Sequence, residues 1–147
     1  MTDFERPLNN RGKRDAPFMG ALLRERNIRP DVIISSPADR AMATAILLAE
    51  ELKYDPATIV ALESLYNAAS ISMREIVELV GDGQSTLIVV AHNPAITMLA
   101  NTLSETPVES FPTCGIACLQ FEIDSWKAMS RGAGRLVFSE APRKHLG

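Results

Sequence analysis

"TLIVVAHNPAI", Thr86 to Ile96, decides how the rest of the chain is read. Thr86 to Ala91 is a continuous apolar run, the pattern of a strand covered on both faces. It stops abruptly at His92. Asn93 can then cap a helix and Pro94 can start it. Ile96, Leu99, Ala100 and Leu103 follow the i, i+3, i+4, i+7 stripe of a helix with one buried face. A histidine at the seam between a buried strand and a helix is either a structural residue or a group placed to touch a ligand.

The same strand-then-helix pattern recurs upstream. "DVII", Asp31 to Ile34, reads as a short buried strand that runs into "SSPADR". There Ser36 can cap a helix, Pro37 suits its first position and Asp39 its first turn, with the helix running to about Leu52. "TIVAL" (58–62) reads as a weak strand, and Ser72 with Glu75 forms a capping-box pattern. "GDGQ" (81–84) reads as a turn. "GIACLQFEI" (115–123) and "GRLVF" (134–138) read as strands that could pair as an antiparallel edge. "APFMGALLRER" (16–26) reads as a helix in which Pro17 forces a late start or a kink. Alternating strands and helices predict an α/β fold around a mostly parallel sheet. Ligands of such sheets bind beyond the carboxyl ends of the strands, where both His92 and "SSPADR" fall.

Bulk properties narrow the classes. A length of 147 residues suits one domain with a real core, and 46% hydrophobic against 5% aromatic residues makes that core aliphatic. A net charge of −3 argues against a nucleic-acid binder held by phosphate contacts. No apolar run is long enough for a membrane span and the first residues lack signal-peptide character, so the expected location is the cytoplasm. Cys114 and Cys118 would lie roughly 13 Å apart on an extended chain, too far for a disulfide. They are expected to be core thiols, and no His or Cys cluster predicts a metal site.

Several residues could carry chemistry, and each has a plainer reading. Arg40, in the first turn of the helix after "ISSP", can grip an anion bidentately beside free helix N–H groups, or be a solvated arginine. His92 can be catalytic or structural. Glu63, in "ALESLY", can be a proton donor or a surface carboxylate. Thr113 and Gly115 can line a pocket or simply make a turn. Arg11, Lys13, Arg14, Arg24, Arg26 and Arg29 read as a solvated helix face, with a docking patch for an acidic phosphoprotein as the alternative. His145 reads as a disordered or surface residue. No GxxxxGK, HExxH or GxSxG motif occurs.

Together, "RPLNNRGKRDAPFMG", "DVIISSPADRAMATA", "LESLY", "IVVAHNPAIT" and "FPTCGIACLQF" resemble, in that order, the histidine phosphatase superfamily, and most of all its small SixA-type branch. The resemblance covers nearly the whole chain, read as a single domain over residues 1–147. It implies a phosphoglycerate mutase-like three-layer sandwich and phosphoryl transfer through a phosphohistidine intermediate. Arg40 then matches a phosphate-clamping arginine and His92 the second pocket histidine. Glu63 is the nearest match to the acid that protonates the leaving group. The implied substrate is a phosphorylated protein, above all phosphohistidine on a signalling protein, or a small phosphoester. No metal or organic cofactor is implied.

One departure stands out. The family opens on a central strand ending in Arg-His, whose histidine is the nucleophile, and this sequence has no such pair. The domain is therefore expected to be N-terminally incomplete, with its first central strand missing. A start codon placed too late would account for that. A short form that binds phosphate without catalysis and a decayed fragment are the alternatives.

Overall fold

The computed structural model describes residues 1–146. Strands β1 (Val32–Ser35), β2 (Val60–Ala61) and β3 (Leu87–Val90) form a parallel sheet in the order β2-β1-β3. Strands β4 (Ile116–Gln120) and β5 (Arg135–Glu140) form a separate antiparallel pair. The helices are α1 (Asn10–Glu25), α2 (Asp39–Glu51), α3 (Met73–Glu78), α4 (Ala95–Leu103) and the short α5 (Arg143–Leu146).

The alternation of side chains along β1 builds two cores. Ile33 points to one face and packs with Met19 of α1, with Ala41, Ala45 and Leu48 of α2, and with Val90. Val32 and Ile34 point to the other, with Leu65, Ile76, Val80 and Leu99. All four β1 residues are buried, which is why a strand covered on both sides reads as an uninterrupted apolar run. Helices on both faces of the sheet make the expected three-layer α/β sandwich. Helices α1 and α2 meet closely at Gly20, where an added Cβ would stand 2.7 Å from the Cβ of Glu51.

The ends of the elements differ from the expectations. Helix α1 neither starts late nor breaks at Pro17. Asn9 caps it, its side chain accepting from the Gly12 N–H at 2.9 Å, and the helix runs through Pro17. Ser36 does not cap α2: its hydroxyl accepts from the Ala38 N–H, Ala38 holds the cap position and the helix begins at Asp39. Likewise Pro94, not Asn93, precedes α4, and the Asn93 amide donates to the Phe111 carbonyl. For Asn93 a tertiary partner outweighs the local capping preference, whereas Ser36 spends its hydroxyl on a local turn. The Ser72 cap is as expected, accepting from the Glu75 N–H. "GIACLQFEI" gives a strand only as far as Gln120.

Four basic residues of α1 and its carboxyl cap are more engaged than a solvated face requires. Arg11 and Arg14 lie against the fully buried Asp15, Arg24 pairs with Glu51, and Arg26 pairs with Glu140 while lying over the Phe138 ring. His145 is on the surface, its Nε2 3.1 Å from Glu140. Cys114 and Cys118 are free and only half-buried, and burial raises both thiol pKa values.

Ile34 is fully buried at the centre of the sheet. Ile34→Ala is expected to destabilise the fold by about 2–5 kcal/mol, read as a lower urea midpoint at unchanged slope.

Candidate active site

The ends of β1 and β3 are tied together. The Ser36 N–H donates to the Val90 carbonyl at 2.8 Å, and the Leu62 N–H donates to the Ser35 carbonyl at 2.9 Å. The segments that leave all three parallel strands therefore emerge side by side. Arg40 comes from the first turn of α2 and His92 from just beyond β3, and both line one large cleft.

Arg40 is held by the amino-terminal segment. Its Nη1 donates to the Asp3 carbonyl at 2.9 Å and lies 3.3 Å from the Asp3 carboxylate. Tyr66 donates its hydroxyl to the same carboxylate at 2.7 Å. The Phe4 carbonyl accepts from the Asp39 N–H at the start of α2, and the Phe4 ring meets Tyr66 edge-on. Tyr66 in turn leans on His92, with ring centroids 5.4 Å apart. A carboxylate thus sits on a guanidinium that projects from the first turn of α2, a place whose electrostatics favour an anion.

The protonation states follow. The Tyr66 hydrogen bond, and then the Arg40 charge, hold the Asp3 carboxyl below its usual value, while the same hydrogen bond pushes the Tyr66 phenol up. Burial lowers the His92 pKa, and the nearby Arg40 charge lowers it further. The ring is therefore neutral at pH 7. Its Nδ1 is buried without a hydrogen-bond partner.

Glu63 lies just beyond β2, at the same end of the sheet, but it is exposed and lies outside the residues lining the cleft. Thr113 and Gly115 satisfy both of their readings. They line the cleft, and the Gly115 N–H closes a turn on the Pro112 carbonyl in which Cys114 takes a φ of 55°. Sequence reasoning missed Tyr66 and Asp3. Tyr66 had a usable signal in its place after the β2 strand, whereas Asp3 had none. Among the described residues no helix is long and apolar enough to cross a membrane, and no three His, Cys, Asp or Glu side chains cluster as metal ligands would.

Known proteins agree with this geometry. The family model "Histidine phosphatase superfamily (branch 1)" matches residues 2–67. An uncharacterized protein of Mycobacterium tuberculosis is 35% identical, covering 97% of this chain and 93% of its own. The putative phosphohistidine phosphatase SixA from Agrobacterium tumefaciens is similar at a TM-score of 0.70 and 27% identity, over 95% of this chain and 89% of that one. The protein histidine phosphatase SixA complexed with tungstate superposes at a TM-score of 0.79 and 20% identity, over 97% and 88%. This chain belongs to the histidine phosphatase superfamily, and its fold is that of the SixA-type members.

The neutral His92 carries a pH signature. Its folded pKa lies below the unfolded value of about 6.5, so between those two values the unfolded chain binds more protons. Its contribution to stability is complete above that window and is lost as pH falls through it. In an NMR titration the His92 midpoint is expected below 6.5, and Arg40→Gln should move it up by removing a like charge. A midpoint unmoved by Arg40→Gln would show that the guanidinium does not act on the ring.

Proposed function

We propose that this protein is a cytoplasmic phosphatase that removes phosphate from phosphohistidine on a signalling protein, and that Arg40 and His92 bind the phosphoryl group. A small phosphoester is the alternative substrate. The observation that supports this most is the placement of the Asp3 carboxylate on Arg40, beside a neutral histidine and the amino end of α2. A phosphoryl group that displaces the Asp3 carboxylate gains the guanidinium and an imidazole N–H. These donors gather charge on the non-bridging oxygens, which is what phosphoryl transfer asks of a protein. Glu63 is the proposed acid for the leaving group, approaching from the exposed rim.

A second reading has its own observation. The chain contains two histidines. His92 is at the pocket, while His145 lies against Glu140 and Phe18. The family reaction needs a nucleophilic histidine in addition to His92. These 147 residues hold only the phosphoryl-binding half and, on this second reading, act as a phosphate- or phosphoprotein-binding module.

Calorimetry with tungstate tests the anion pocket that both readings need, and hydrolysis of an aryl phosphate separates the two. Saturable binding is expected, and Arg40→Ala should weaken it about 10- to 100-fold. Asp3→Asn should tighten it about two- to fivefold, since the internal competitor is gone. Absence of heat, or heat indifferent to Arg40→Ala, rules out both readings. Binding without hydrolysis of an aryl phosphate at high protein concentration is the outcome the second reading requires. Turnover that His92→Ala abolishes would instead show a complete catalytic site.

A further inference from the structure

The protein has two tyrosines, Tyr54 and Tyr66, and their hydroxyls are used differently. The Tyr54 hydroxyl is engaged by backbone. It donates to the Thr58 carbonyl at 3.3 Å and accepts from the Ile33 N–H at 3.4 Å, which ties a loop to a strand. The Tyr66 hydroxyl meets no backbone group among the described residues. Its partner is the Asp3 carboxylate, whose Oδ2 it reaches at 2.7 Å. The Arg40 Nη2 approaches the same Oδ2 at 3.5 Å, while Nη1 lies 3.3 Å from Oδ1. A guanidinium and a phenol thus hold one anion together.

The two partners of this phenol bond are anchored very differently. Tyr66 is placed by the core. The Leu62 N–H is bonded to the Ser35 carbonyl at the end of β1. A single turn, Glu63–Leu65, follows, and Leu65 is fully buried with Val32, Ile34 and Ile76. Tyr66 comes next, its N–H on the Glu63 carbonyl at 3.0 Å, and its ring packs against the cluster around Ile33 on the opposite face of the sheet. The ring also leans on His92. Asp3, in contrast, belongs to an exposed segment, residues 1–7, and its side chain is 52% exposed. Exposed ion pairs of this kind are weak. An anion from solution can therefore exchange with the carboxylate, while the phenol stays where the core holds it. Once Asp3 leaves, the hydroxyl has no acceptor within the protein, and a half-buried donor without one is costly. The bond to Asp3, and then burial, push the Tyr66 pKa above its usual value, so the hydroxyl carries a proton to donate at neutral pH.

We propose that Tyr66 is a third donor to the bound oxyanion: when a phosphoryl group takes the place of the Asp3 carboxylate, the Tyr66 hydroxyl donates to one of its non-bridging oxygens beside the Arg40 guanidinium. This rests on the phosphoryl-binding reading of Arg40 and His92. A carboxylate has two oxygens, and Asp3 uses them on Arg40 and Tyr66. A terminal phosphoryl group has three, so guanidinium, phenol and imidazole can each meet one. Tyr66 then helps to select a phosphoryl group over a carboxylate, because it completes a set of donors that only the tetrahedral anion can fill.

The sign of a double substitution separates this role from that of a latch for Asp3. Tyr66→Phe removes the hydroxyl and leaves the ring on His92. If the hydroxyl served Asp3 alone, Tyr66→Phe would loosen the internal competitor and tighten tungstate binding. It would then have no effect in a chain whose competitor Asp3→Ala has already removed. A hydroxyl that meets the anion gives the opposite pattern. Tyr66→Phe should weaken tungstate binding about tenfold in the Asp3→Ala chain, and by less in the chain that keeps Asp3, where the two effects oppose. Isothermal calorimetry reads both. Tungstate binding in the Asp3→Ala chain that Arg40→Ala weakens but Tyr66→Phe leaves unchanged or tightens overturns the proposal and leaves the phosphoryl-binding reading standing. Absence of binding, or binding indifferent to Arg40→Ala, overturns both. Should Tyr66→Phe fail to fold, the ultraviolet difference spectrum on adding tungstate to the Asp3→Ala chain replaces it. A tyrosine perturbation supports the proposal, and a flat spectrum overturns it.

Discussion

Val32 stands opposite Leu87, and the parallel ladder continues in step until Ser35 stands opposite Val90. Asp31 pins its lower end, its carboxylate accepting from the Ser85 and Thr86 N–H groups at 2.7 and 3.0 Å. The Ser36 N–H on the Val90 carbonyl pins the upper end. A slip of one residue would turn Ile33 out of one core and Ile34 out of the other, because side chains alternate with a period of two. It would also shift His92 by about 3.3 Å relative to Arg40. One register therefore sets both the packing and the meeting of the two pocket residues.

The pocket concentrates opposing tendencies in a small space. Burial, and then the guanidinium, disfavours charge on the neighbouring imidazole, while the Tyr66 hydrogen bond, and then the guanidinium, favours it on the Asp3 carboxylate. The ring stays neutral and keeps an N–H to donate. The carboxylate stays ionised and satisfies the guanidinium. Tyr66 joins the two, through its hydroxyl to Asp3 and through its ring to His92. An incoming anion would thus exchange one ion pair for another and would not have to create charge stabilisation from nothing.

Much of the fold was legible because burial on both faces leaves a continuous apolar signature. Residues 31–34 and 86–91 carried it plainly, and the stripe of α4 marked a helix with one buried face. The caps were less legible. Ser36, Asn93 and Pro17 each have a strong local preference, yet Ser36 serves a turn, Asn93 reaches to Phe111, and Pro17 sits inside a helix capped at Asn9. Local preference at such positions is worth about 1 kcal/mol, which one tertiary hydrogen bond or packed face can override.

The sequence by itself determined the class of fold, the ends of the strands where a ligand would sit, and Arg40 and His92 as the residues standing there. Those follow from periodicity and from the order of strand, seam and helix, which are local properties of the chain. The tertiary structure alone decided that Asp3 occupies Arg40, that Tyr66 links the pair, that Glu63 is exposed and outside the cleft lining, and that β4 and β5 form their own sheet across an open apolar cleft. Asp3 and Tyr66 are 63 residues apart in the chain, and no local pattern encodes a contact of that span. It exists because the core brings the amino-terminal segment over the ends of the parallel strands.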